Sequence, residues 1–229
     1  MKKELLLFLT SNYPLERVNK KLLDNNYNLF DEIKLLNEYD LDEYISNIIK
    51  SLIEKHGNKG YGFWIWKSYI LMNELNKLNE NDILVHLDMH CIDNNLKDKF
   101  DDIINILQNQ SIIIGIAGFN DLIYTSTKLR KHIENYLNYK FSHKQLNSIQ
   151  YEGGIIFIRN CQESRKFVKQ WFDIMISNLD CITDIYNNDK LNHKTFIENR
   201  HDQSVVSLLY KFYKYNTPDY LNWKFMNIL

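Results

Sequence analysis

The chain has 229 residues, 45% apolar and 25% charged, with a formal net charge of -1. This is the composition of a soluble globular protein of about one domain, and its near-neutral balance with dispersed lysines gives no electrostatic drive toward nucleic acid. Three cysteines (Cys91, Cys161 and Cys181) without CxxC spacing argue against a disulfide framework or a structural zinc site, and for a reducing, cytoplasmic setting.

"KELLLFLT" (3–10) is a short apolar run followed by the turn "SNYP", the pattern of a buried first strand. "LERVNKKLLDNN" (15–26) has helical spacing, and "FDEIKLL" (30–36) reads as a second strand. In "DLDEYISNIIKSLIEKHG" (40–57), Tyr44, Ile45, Ile48, Ile49 and Leu52 form a stripe, Asp40 offers a cap and Gly57 lies past the end. A Gly-flanked entry then leads into a helix from about Trp64. "DILVHLD" (82–88) is a clear strand, "LKDKFDDIINILQ" (96–108) an amphipathic helix and "SIIIGIAG" (111–118) a buried strand. "STKLRKHIENYLNY" (126–139) is helical, "GGIIFIRN" (153–160) a strand, and "CQESRKFVKQWFDIMISNL" (161–179) and "HDQSVVSLLYKFYK" (201–214) are helices. No linker or repeat marks a second domain. Strands alternating with helices imply parallel pairing with right-handed crossovers, hence an α/β fold with ligands beyond the carboxyl ends of the strands.

Under that rule the third strand carries the chemistry. Ile83, Leu84, Val85 and Leu87 are core, and Asp88 stands where the sheet opens. Asp88 and His90, two residues apart, share a strand face and can aim at one divalent cation, which would hold a diphosphate. Without a cation, the same residues read as a strand-end turn with an exposed imidazole.

Three stretches together carry a family resemblance: "GYGFWIWKSYILMNEL" (60–75), "DILVHLDMHCIDN" (82–94) and "HDQSVVSLL" (201–209). In this order they resemble bacterial and viral polysaccharide glycosyltransferases of the GT-A fold, which read G-Y-G-[YF]-W-x-W-K-P, then D-x-[IL]-x-Y-x-D-A-G, then H-D-Q-S. The chain departs from the pattern at Ser68, where proline is usual, and at Asp88-Met89-His90, where many GT-A enzymes carry Asp-x-Asp.

The resemblance implies a single GT-A-like domain with a Rossmann-like, mostly parallel central sheet flanked by helices, residues 1–118 binding the nucleotide sugar and 119–229 the acceptor. It implies transfer of a hexose from a UDP-sugar to a hydroxyl of a glycan or glycolipid, assisted by Mn²⁺ or Mg²⁺. Thr10, Asn12 and Tyr13 would hold the nucleotide, Lys67 the diphosphate, and Asp88, His90 and His201 the cation. Gly153 and Gly154 would let backbone approach the sugar. Inverting transfer needs a carboxylate base; Asp202 is the first candidate and Glu152 the second. A helix N-terminus at Asp202 would lower its pKa. Nothing in the composition opposes peripheral association with a membrane. The alternatives are a metal-dependent phosphohydrolase using Asp88 and a non-catalytic sugar-nucleotide-binding module.

Overall fold

The computed structural model describes residues 1–24, 28–92 and 95–221; positions 25–26 of the expected first helix and Asp93–Asn94 of the strand-end motif lie outside them. Five strands, β1 (Lys3–Phe8), β2 (Glu32–Leu36), β3 (Ile83–Leu87), β4 (Ile112–Asn120) and β5 (Ile149–Arg159), form one open sheet in the order β2-β1-β3-β5-β4. The principal helices are α1 (Leu15–Asp24), α2 (Glu43–His56), α3 (Ile65–Leu75), α4 (Asn95–Leu107), α5 (Thr127–Leu137), α6 (Gln162–Ser177) and α7 (His201–Tyr213). Among the described residues no helix is long and apolar enough to cross a membrane.

The side-chain alternation of each strand splits the core into two layers. Leu6, Leu84, Ile112, Ile114, Ile156 and Ile158 face α2, α3, α6 and α7. Leu5, Leu7, Val85, Ile113, Ile155 and Phe157 face α1 and α4. Burial on both faces is why the central strands read as unbroken apolar runs rather than as alternating ones. The α2 start is set by Asp42, whose side chain accepts from the Ile45 amide at 3.1 Å. The expected cap Asp40 instead closes a preceding turn with Asn37.

The expectation of a mostly parallel, Rossmann-like sheet is overturned. The sheet is mixed: β1 pairs parallel with β2 and β3, while β5 pairs antiparallel with both β3 and β4, the two longest strands among them. After β4 the chain re-enters the sheet at the end it has just left, with Asn120 opposite Ile149, so β5 runs backward. Apolar periodicity reports that a strand is buried, not which way it runs. β5 also starts earlier than expected, at Ile149 rather than at Gly153, so Glu152 lies within the strand rather than ahead of it.

Two local features fix the surroundings of the sheet's open end. Residues 60–64 all have positive φ, from 49° to 78°. A non-glycine residue there costs roughly 1–2 kcal/mol, so the stretch is held by its packing. A Cβ on Gly60 would come within 2.2 Å of the Trp64 ring, so only glycine fits. This left-handed turn ends on Trp64 and launches α3 at Ile65, which sends Lys67 inward.

The second feature is a buried ion pair under α7. Asp121 follows β4 and accepts from Lys211 of α7, from Gln150 Nε2 at 3.0 Å and from Ser207 Oγ at 3.2 Å. Lys211 also donates to the carbonyls of Gln145 and Ser148. Removing one partner of a buried pair leaves an uncompensated charge. Lys211→Met is expected to lower stability by about 3–5 kcal/mol at neutral pH, read by urea denaturation. The loss should shrink in acid, where Asp121 can take up a proton.

Candidate cation site and catalytic cleft

A cleft of about 610 Å³ opens beyond β1 and β3, lined among others by Phe8, Trp66, Lys67, Asp88, His90, Glu152 and Asp202. Asp88 follows β3 directly, and its amide donates to the Gly154 carbonyl at 2.8 Å, one step past the Leu87–Ile155 pair. The reversal of β5 therefore carries Glu152 up beside Asp88. Asp88, His90 and Glu152 each offer a ligand atom, and these atoms lie within 4.8 Å of one another. Opposite ligands of an ion with bonds of about 2.1–2.5 Å lie some 4–5 Å apart, so the three donors fit one divalent cation. Two carboxylates and an imidazole suit Mn²⁺ better than Mg²⁺.

The expected cation set was Asp88, His90 and His201. Glu152, the second candidate for the base, takes the third place instead. His201 lies in the cleft wall but outside this cluster. Its Nδ1 is 2.7 Å from the Ile182 carbonyl, and its ring stacks on Trp64. Burial lowers its pKa to about 4.

Lys67, expected to hold a diphosphate, lines the cleft with its ammonium already engaged by protein oxygens. It is 2% exposed, and its ammonium donates to the Gly153 carbonyl at 2.8 Å and to Asp88 Oδ2 at 3.2 Å, with Asp202 Oδ2 at 3.6 Å. Two of its three protons are therefore spent on hydrogen bonds, and Asp202 is held by charge alone. Lys67 is thus a buried counter-ion that orients two carboxylates. Those carboxylates and Glu152 hold its pKa above the ordinary value against the opposing effect of burial.

The carboxyl groups are driven apart in acidity. Burial acts to raise Asp88, but Lys67 and the His86 ring, with Nε2 3.3 Å from Oδ1, outweigh it and keep Asp88 well below the usual carboxylate range. Glu152 is raised by burial and by the Asp88 charge. Asp202, in the first turn of α7, is raised to about 7, because burial and the neighbouring Asp88 outweigh the attraction of Lys67. The expected lowering by the helix terminus is therefore reversed. Among the described residues Asp202 Oδ2 has no hydrogen-bond partner.

Gly153 and Gly154 lie against the two aspartates of the cleft, and Gly153 is among the residues that line it. A Cβ on Gly153 would lie 3.2 Å from Asp202 Oδ2, and one on Gly154 would lie 2.8 Å from Asp88 Oδ2. The two glycines make room for the two carboxylates. Thr10, Asn12 and Tyr13 form a turn after β1, with the Tyr13 amide bonded to the Thr10 carbonyl, and none of them lines the cleft; Phe8 and Leu9 do. His86, inside β3, is a site residue that the sequence motifs do not single out. A histidine inside an otherwise aliphatic run, two residues before Asp88, was the available signal. Its Nδ1 lies 3.0 Å from the Leu6 carbonyl, which fixes the ring beside the acid.

No family model, curated protein or solved structure matches the chain.

Two outcomes are expected. Gly154 has an ordinary backbone conformation, so Gly154→Ala should fold, yet its new methyl group would displace Asp88 Oδ2. Mn²⁺ affinity by calorimetry should fall about 10–100-fold, the range for disturbed ligand support. An unfolded-state carboxyl ionises near 3.9, so between about pH 4 and 7 the folded protein holds the extra proton on Asp202. Stability from this group is present at the acid end and lost as pH rises, by up to about 1.4 kcal/mol per unit. Urea denaturation from pH 4.5 to 7.5 should show a steeper fall for wild type than for Asp202→Asn.

Proposed function

We propose that the protein is a cation-assisted glycosyltransferase that moves a hexose from a nucleotide sugar, a UDP-sugar, onto a hydroxyl of a glycan or glycolipid, with inversion at the anomeric carbon. One observation carries this reading: a three-ligand cation cluster and a high-pKa carboxyl, Asp202, stand on the same cleft and share one buried ammonium. Such a pairing serves a reaction in which a polyanionic group leaves while a hydroxyl is deprotonated. The motif resemblance supports the choice of sugar nucleotide over other diphosphates.

Asp88, His90 and Glu152 would hold the cation, which would supply charge for the diphosphate as its bond to the sugar breaks. Asp202 takes the proton from the acceptor hydroxyl as that oxygen attacks the anomeric carbon, and UDP departs with the bonding pair. A base with a pKa near 7 is ionised often enough to act and basic enough to accept the proton. Lys67 keeps Asp88 ionised while leaving Asp202 free to titrate, since its contact with Asp202 is the longer one. Phe8 and Trp66, stacked with centroids 4.0 Å apart, wall the cleft and limit access of water.

Two measurements test the reading. Calorimetry with UDP and Mn²⁺ should show binding to wild type and its loss in Asp88→Ala; a wild type with no affinity for UDP would remove the proposal. Transfer or slow donor hydrolysis should rise about tenfold per pH unit below pH 7 and level above it, following ionisation of Asp202. Asp202→Asn should lower the rate about 10²–10⁴-fold and flatten that limb.

A further inference from the structure

Part of the cleft wall carries groups that neither the cation nor the base uses. Lys59, Trp64, Arg200 and His201 form it. His201 is 2% exposed, and its ring stacks on the Trp64 indole with centroids 5.6 Å apart and planes 20° apart. The Ile182 carbonyl, 2.7 Å from Nδ1, can only accept a hydrogen bond, so Nδ1 carries the ring proton. Nε2 is then a bare lone pair, buried and without a hydrogen-bond partner among the described residues. The nearest charged group, an Asp184 carboxylate oxygen at 3.6 Å, is a second acceptor and cannot satisfy it.

An unpaired buried acceptor costs roughly 1–3 kcal/mol, and a ligand in the cleft that donates an O–H or N–H recovers that cost. A diphosphate offers only acceptors to this spot. A pyranose offers hydroxyl donors together with apolar C–H groups suited to the part of the indole that faces the cleft, flanked by Lys59, paired with Asp184 at 3.0 Å, and Arg200, paired with Glu198 at 2.9 Å. His201 also directly precedes Asp202, the group that must touch the acceptor hydroxyl in the proposed reaction.

We infer that this wall is the acceptor-sugar subsite, where a pyranose lies against the cleft-facing part of Trp64 and donates a hydroxyl hydrogen to His201 Nε2. The inference rests on the glycosyltransferase reading and names the ligand class on its acceptor side. His201 is thus a binding residue, and its ring nitrogen selects ligands that can donate.

Saturation-transfer NMR with methyl β-D-galactopyranoside and methyl α-D-glucopyranoside tests it on wild type, His201→Phe and His201→Gln, with UDP and Mn²⁺ titrated into the same samples. Wild type should bind at least one glycoside saturably. His201→Phe, which keeps a ring but loses the acceptor, should bind it about tenfold more weakly. His201→Gln, which retains an acceptor, should stay within about threefold of wild type. UDP affinity should be the same in all three. In wild type alone, the ¹⁵N resonance of His201 Nε2 should shift on adding glycoside, which decides the matter even if a variant fails to fold.

No glycoside binding, or no Nε2 shift, in a wild type that binds UDP would overturn the subsite while leaving the parent reading intact. A drop in UDP affinity in His201→Phe would overturn it by giving this wall to the nucleobase. Absence of UDP binding with His201-dependent glycoside binding would remove the transferase reading and retain the sugar site.

Discussion

The Lys67 ammonium is the point on which the cleft depends. Buried at the start of α3, it is held by the Gly153 carbonyl and by Asp88, with Asp202 slightly farther away. A buried ammonium without counter-charges is costly, and so are two buried carboxylates without a cation. Each group is therefore tolerable only because the others are there. This mutual requirement binds α3, the end of β3, β5 and the first turn of α7 into one unit. It also splits the acidities, since the closer acid stays ionised while the more deeply buried one titrates near neutrality.

That arrangement exists because β5 runs against its neighbours. A parallel β5 would present its carboxyl-terminal residues to the cleft, and Glu152 would lie at the far end of the sheet from Asp88. Reversal instead sets Glu152, Gly153 and Gly154 beside the strand-end acid, supplies the third group of a cluster able to hold a cation and leaves space where two side chains would otherwise collide with carboxylate oxygens. The mixed sheet that displaced the expected parallel one is thus the feature that assembles the site.

The left-handed turn at residues 60–64 performs a matching task on the other wall. Gly60 accepts the indole N–H of Trp66 on its carbonyl at 3.1 Å and leaves the space that the Trp64 ring fills. Trp66 is thereby fixed against Phe8, and Trp64 against His201. Three non-glycine departures within four residues, Tyr61, Phe63 and Trp64, would be expensive on an exposed loop; here aromatic packing and the buried α3 that follows hold them in place. The cleft has one wall built for charge and another built for aromatic and hydrogen-bond contacts.

Much was legible in the residue order alone. Apolar runs and helical stripes located every strand of the sheet and its main helices, because burial imposes a period that composition records. Asp88 at a strand end, His90 two residues on, and Asp202 at a helix start were visible as groups with chemistry. What only the tertiary structure decided was direction and distance. The backward course of β5, the place of Glu152 rather than His201 beside Asp88 and His90, and the commitment of Lys67 to buried carboxylates all join residues far apart in the chain, Lys67 and Asp202 being 135 positions apart. The upward shift of Asp202 belongs with them. Local sequence gives that acid a helix terminus, which lowers a carboxyl pKa, whereas the folded interior strips its water away and raises it further than the terminus and Lys67 can offset.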